Sequence, residues 1–191
     1  MIRTISAASV AALGFAGLAS AETRAYDVGA FTAIDVSAGI EVAFESGPAQ
    51  SNSVENKKGD FSDIDVLVRG DTLVLKRQKR NWGWNQRRLA YSVTVTAPQI
   101  SGLEASSGSD VAGTGMTGDE IRIEVSSGAD VSVASINGGT VSIETSSGSD
   151  ATVSGVCRTV KAEASSGSDL SARDLICEYG EADASSGSDI S

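Results

Sequence analysis

The 191-residue chain has no histidine. That absence removes Ser-His-Asp and Cys-His catalysis, imidazole haem ligation and every histidine-bearing zinc site. Its two cysteines fall short of a four-cysteine metal site or an iron–sulfur cluster. Nine aromatic residues and two prolines are also few. Positive charge is scarce: 15 Lys and Arg stand against 25 Asp and Glu, for a net charge of −10. This disfavours nucleic acid as a partner, because that affinity is mostly phosphate neutralisation. The longest apolar run, Ile5 to Leu18, is shorter than the roughly 20 residues needed to span a bilayer. The length fits one domain.

Arg3, the uncharged run Ile5 to Leu18 and the small-residue triplet Ala19-Ser20-Ala21 together read as a signal peptide over 1–21. The mature chain then begins at Glu22, with no transmembrane segment and no lipoprotein cysteine at the cleavage site. A secreted or periplasmic location follows, and an oxidising compartment permits a disulfide between Cys157 and Cys177. Each of these cysteines lies eight residues before a repeated motif, so the two stack on adjacent coils at about 5 Å, which suits a disulfide. The alternative is a pair of reduced, buried, small apolar residues.

Glycine is plentiful, with 21 residues, and so is repetition. The pentapeptide Ser-Ser-Gly-(Ser/Ala)-Asp starts at Ser106, Ser126, Ser146, Ser165 and Ser185, at spacings of 20, 20, 19 and 20. Between copies, apolar and polar residues alternate, as in Ile121, Ile123 and Val125 against Arg122 and Glu124. Period two with β-branched residues means strands with one buried face. A further apolar position recurs at Met116, Ile136, Val156 and Leu175. A unit of 20 residues cannot bury its own apolar face, whereas stacked coils can, each strand pairing with its equivalent about 4.8 Å along the axis. The pattern therefore predicts an all-β β-solenoid with 20-residue coils. Its narrow interior also accounts for the few aromatics.

The segment 22–100 reads as degenerate coils and a cap of the same domain, and 101–191 as the regular coils. Ile34, Val36, Ala38, Ile40, Val42 and Phe44 alternate through Ser37-Ala38-Gly39, which is like the later corners. Ile64 to Val68 and Leu73 to Leu75 flank a Gly70-Asp71 turn, and Tyr91 to Ala97 end at Pro98. Ser191 follows the fifth motif by two residues, which reads as an unfinished coil: a fragment, or an open edge that pairs end to end with another copy.

The order Phe31-x-x-Ile34-x-Val36-x-x-Gly39-Ile40-x-Val42, then Gly70-Asp71-Thr72-Leu73-Val74-Leu75, then Val93 to Pro98, then the Ser-Gly-Ser-Asp repeats, resembles the head GIN domain of the auto-transporter adhesin family. The resemblance covers the chain from about Tyr26. It implies an exported, right-handed β-solenoid with an adhesin-like role, and it brings no catalytic or binding residues. The membrane β-barrel of an autotransporter has no counterpart here.

Three features are candidate sites. In register, Asp110, Asp130, Asp150, Asp169 and Asp189 form a ladder whose carboxylates repel by about 1 kcal/mol per pair in water. Calcium shared with Ser hydroxyls would relieve this. The favoured alternative is that each Asp accepts hydrogen bonds from its own turn amides. Second, the segment Lys76 to Arg88 holds six positive charges, no acid and both tryptophans, whereas 101–191 carries 15 acidic and four basic residues. On a hairpin tip, Lys79, Arg80, Trp82, Trp84, Arg87 and Arg88 would grip a surface glycan or another anionic envelope component. The competing reading has the Trp rings cover the open end of the solenoid. Third is the pair Cys157 and Cys177. Arg69-Gly70-Asp71 reads as a plain turn. Carboxylates that recur with the repeat are structural in pattern, so an enzyme acting on acidic polysaccharides ranks third. It stands behind a non-catalytic surface-interaction module and a self-associating envelope scaffold.

Overall fold

The alternating pattern produces strands throughout. The computed structural model describes residues 21–78 and 90–191. Among them there is no helix, and the strands wind into a β-solenoid of about four turns. The segment Lys79 to Leu89, with all six proposed binding residues, and the signal-like segment 1–20 lie outside the described residues.

The coils have two broad faces. On the first lie β1 (Glu22–Ala25), β3 (Glu41–Ser46), β4 (Ser51–Asn56), β7 (Tyr91–Ala97) and β9 (Asp110–Thr114). On the second lie β2 (Ala33–Val36), β5 (Ile64–Arg69), β6 (Thr72–Arg77), β8 (Gly102–Ala105) and the end of β10 (Thr117–Val125). The long strands β11 (Asp130–Ser146), β12 (Asp150–Ser165) and β13 (Asp169–Ala184) bend from the first face, around a narrow third side, to the second, and β14 (Asp189–Ile190) begins another turn. From β8 and β9 onward, neighbouring coils pair in parallel with equivalent residues side by side. Ile121, Ile123 and Val125 point inward and are fully buried, stacked on Val141, Ile143 and Thr145, while Arg122 remains exposed.

Stacking order and chain order differ in the N-terminal half. β2 and β3 form one coil, paired on one side with β6 and β7 and on the other with β8 and β9, all in parallel. The chain makes this coil, climbs to build β6 and β7, then crosses back below it. The antiparallel strands β4, paired with β7, and β5, the hairpin partner of β6, extend the two faces outward. β6 and β7 pair with different strands on different faces, so the basic segment between them does not join the two arms of a hairpin. Arg69-Gly70-Asp71 is the tip of the β5–β6 hairpin, and the Asp71 carbonyl accepts hydrogen bonds from the amides of Thr32 and Ala33.

The 19-residue spacing has a definite place. β12 is one residue short of both neighbours, between Val133 and Ile136 of β11 and between Ser171 and Asp174 of β13. The neighbours accommodate the extra residue as bulges, with Ser135 at φ 57°. This overturns one expected alignment. Gly155, not Val156, pairs with Ile136 and Leu175, and Val156 turns outward, 50% exposed. A one-residue shift moves a side chain to the opposite face of a strand.

The end near β6 and β7 is closed by Phe61 and Tyr91, whose ring centroids lie 6.4 Å apart. The Arg24 guanidinium stacks over Phe61 at 4.4 Å. Beside them, the buried Asp63 carboxylate takes an ion pair from Arg77 at 2.8 Å and a hydrogen bond from the Tyr91 hydroxyl. Burial and the Asp63 hydrogen bond push the Tyr91 hydroxyl well above its ordinary value.

Candidate functional site: two carboxylate ladders astride a serine–glycine corner

Apart from the β6–β7 coil, the coils turn between their two faces through the same corner. In Ser107-Gly108, Ser127-Gly128, Ser147-Gly148, Ser166-Gly167 and Ser186-Gly187 both residues have positive φ, as do Ala38 and Gly39. The fourth motif residue points inward: Ser109, Ser149 and Ser168 are fully buried, as is Ala129 at the equivalent position. The Ser149 hydroxyl accepts the Ser146 amide at 3.2 Å and donates to the Val125 carbonyl of the preceding coil at 2.9 Å. Ser168 likewise accepts the Ser165 amide and donates to the Thr145 hydroxyl at 3.1 Å. The serine thus closes its own turn and ties it to the coil before.

This arrangement corrects the expected role of the aspartates. Asp110, Asp130, Asp150, Asp169 and Asp189 do stand in register. Their side chains face outward, exposed, and make no hydrogen bond to the described residues; in the last three motifs the inward serine takes the amide of the motif's first serine. Those buried hydroxyls are on the opposite face of the strand from the carboxylates, so the two cannot share a cation. Among the described residues no three acidic or cysteine side chains gather as a metal-holding group.

The ladder is longer than five. Glu41 pairs with Asp110 and makes a sixth rung. A second ladder, not expected from the sequence, runs along the other side of the corner: Asp35, Glu104, Glu124, Glu144, Glu163 and Asp183, all in register. A signal for it exists in the sequence. The motif extends two residues upstream to an acid, as in Glu124-Val-Ser-Ser-Gly-Ala-Asp130, and has a sixth copy in Asp35-Val-Ser-Ala-Gly-Ile-Glu41.

The two ladders differ in surroundings. The first overlooks a shallow groove floored by Ala43, Ala112, Ser132 and Thr152. The second is partly neutralised by Arg122, which pairs with Glu124 and with Glu144, the latter at 3.1 Å. Burial raises the carboxyl of Asp35, opposed by Lys76 and Arg69. Burial also raises that of Glu104, with Asp35 and Glu124 adding to the rise and Arg122 opposing it. An acid whose native pKa is raised stabilises the fold most below its unfolded value, and that contribution is lost as pH rises through the native one. Glu104→Gln is therefore expected to raise stability near neutral pH, by less than about 1 kcal/mol because the site is solvent-screened. It should also flatten the gain seen on mild acidification. Urea midpoints at pH 7 and pH 5 measure both, and a loss of stability at pH 7 would contradict the assignment.

Cys157 and Cys177 are register partners on β12 and β13, joined as a disulfide with Cα atoms 4.5 Å apart.

A solenoid with the same outward side chains on coil after coil is a repeat protein whose surface is a lattice rather than a cleft. Its sequence places it in a definite group: residues 30–191 match the family described as "Putative auto-transporter adhesin, head GIN domain", and the chain belongs to that family. No curated protein matches the chain. Among solved structures it is similar to a "putative adhesin" from Bacteroides fragilis NCTC 9343, with a TM-score of 0.80 at 20% identity over 90% of this chain and 79% of that one. It is also similar to a "Putative lipid binding protein" from Parabacteroides distasonis ATCC 8503, with a TM-score of 0.67 at 15% identity over 89% and 80%. At such identities the likeness is one of fold. No helix among the described residues is long and apolar enough to cross a membrane.

Proposed function

We propose that the protein is an exported, non-catalytic, adhesin-like module of the bacterial cell envelope that holds a surface glycan along its repeated faces. The observation that carries this reading is the periodicity of the outward side chains: Asp110, Asp130 and Asp150 recur in register beside Ala112, Ser132 and Thr152. Carboxylates accept hydrogen bonds from sugar hydroxyls, and Ser and Thr hydroxyls both accept and donate them; similar weak subsites in a row act together on a polymer through effective concentration. The carboxylates of both ladders follow the repeat, whereas catalysis needs a local break in the pattern, and this supports a non-catalytic role. Family membership supports the adhesin-like role.

A glycan array probed with the mature chain tests the proposal. Binding is expected, and the double variant Asp130→Asn/Asp150→Asn should weaken it at least about tenfold, the loss of one or two hydrogen bonds to charged groups. Its melting temperature should be unchanged or higher, because two like charges are gone. Full binding by this variant together with loss in Trp82→Ala/Trp84→Ala would move the site to the basic segment. No binding to any glycan would overturn the reading.

A further inference from the structure

The interior thins toward the C-terminal coils. One inward row reads Ile121, Val141, Val160, Gly180; the next reads Ile123, Ile143, Ala162, Ala182; the third reads Val125, Thr145, Ala164, Ala184. From its first rung to its last each row loses apolar side chain from the core, and Ala182 and Ala184 are exposed. The second-face ends of β12 and β13 are therefore held together by backbone pairing with little hydrophobic burial behind it, the condition under which a segment opens locally while the rest stays folded.

The disulfide sits between these same two strands. Cys157 and Cys177 are both half-buried. Beside them stand Val156 and Ile176, themselves register partners, with Tyr179 two residues beyond Cys177. These three are the exposed large hydrophobic residues of the described chain, at 50%, 73% and 64%.

We propose that the Cys157–Cys177 disulfide is a redox latch on Leu175–Ala184. Closed, it holds this segment in register on β12 and orders the strip Val156, Ile176 and Tyr179. Open, it lets the segment come away as a unit while the coils up to β11 stay folded. The reductant is a dithiol. Its first thiolate attacks one cystine sulfur, forming a mixed disulfide and expelling the other sulfur as a thiolate that takes up a proton. Its second thiol, as thiolate, then attacks the mixed disulfide and frees the remaining cysteine. Two electrons and two protons pass to Cys157 and Cys177, which end as thiols, and the reductant ends as a disulfide. The cross-link ties Cys177, near the start of this segment, to Cys157 on the adjacent coil, so its loss frees the segment's anchor on β12.

Hydrogen exchange with mass spectrometry on the oxidised protein, and on the same protein in dithiothreitol, tests this. Amides of 175–184 should exchange at least about tenfold faster after reduction, because the covalent anchor of the segment on β12 is gone. Those of 121–146 should be unchanged, and reoxidation with oxidised glutathione should restore protection. Cys157→Ser/Cys177→Ser should reproduce the reduced pattern without reductant. Unchanged exchange in 175–184 after confirmed reduction would overturn the proposal. So would acceleration spread equally through 121–146, which would mean that the disulfide holds the whole solenoid. The dithiothreitol arm decides the matter even if the double variant fails to fold.

Discussion

Gly155→Ala is expected to destabilise the protein by about 3 kcal/mol, close to the upper end for a single overpacked site. Gly155 has φ 141°, where an L side chain is strained, and a Cβ there would press on the backbone of Ile136, whose carbonyl carbon lies 2.8 Å away. Backbone held by ladders on both sides cannot yield as the end of a flexible side chain can. Gly148→Ala separates the two causes. Gly148 also has positive φ, 66°, yet nothing lies within 4 Å of its added Cβ. Its cost should be only the left-handed strain, about 1–2 kcal/mol. Denaturant midpoints for the two variants measure the difference. Equal losses would show that φ alone matters and that the close approach of β12 to Ile136 does not.

Asp63→Ala is expected to cost about 3 kcal/mol at pH 7, the lower end for breaking a buried ion pair, because Arg77 retains some contact with water. The side chains are 9% and 17% exposed. Removal strands the Arg77 guanidinium and the Tyr91 hydroxyl at the closed end of the solenoid. Burial by itself would raise the Asp63 carboxyl; the hydrogen bonds from Arg77 and Tyr91 outweigh it and hold the group below its ordinary value. A depressed acid stabilises the fold above its unfolded pKa of about 3.9, and the contribution is lost as pH falls through the native value. The parent protein should therefore approach the stability of the variant below about pH 4. A constant gap between them from pH 7 to pH 3 would show that the pair acts through packing rather than charge. This acid loss opposes the gain from Asp35 and Glu104, so stability should pass through a maximum on acidification.

The regular coils were legible because their evidence is local and repeated. Ile121, Ile123 and Val125 alternate with Arg122 and Glu124, and no other element satisfies period two with glycine at each corner. Val156 shows where such reading stops. Counting from the motif places it with Met116, Ile136 and Leu175, but the position of the missing residue within a 19-residue coil depends on which neighbour can bulge. That choice is made by β11 and β13 together, at Ser135 and near Arg173. The second ladder was missed for a different reason. Glu104, Glu124, Glu144 and Glu163 look like ordinary outward polar residues until Asp35 and Asp183 align with them. Asp35 joins through β2, whose neighbour β8 is nearly seventy residues away in sequence.

The sequence by itself determined the coil length, the inward and outward residues of each regular strand, the Ser-Gly corner and the proximity of Cys157 to Cys177. All of these follow from covalent spacing and the two-residue period of a strand. Tertiary structure alone decided that the β2–β3 coil is sandwiched between β6–β7 and β8–β9, that Phe61 and Tyr91 close one end over Asp63, and that acids stand in two ladders rather than one. Strands with similar apolar alternation can stack in more than one order. Only the full set of hydrogen-bonded neighbours and the side chains that fit between them, such as the Phe44 ring in the space left by Gly113, selects one.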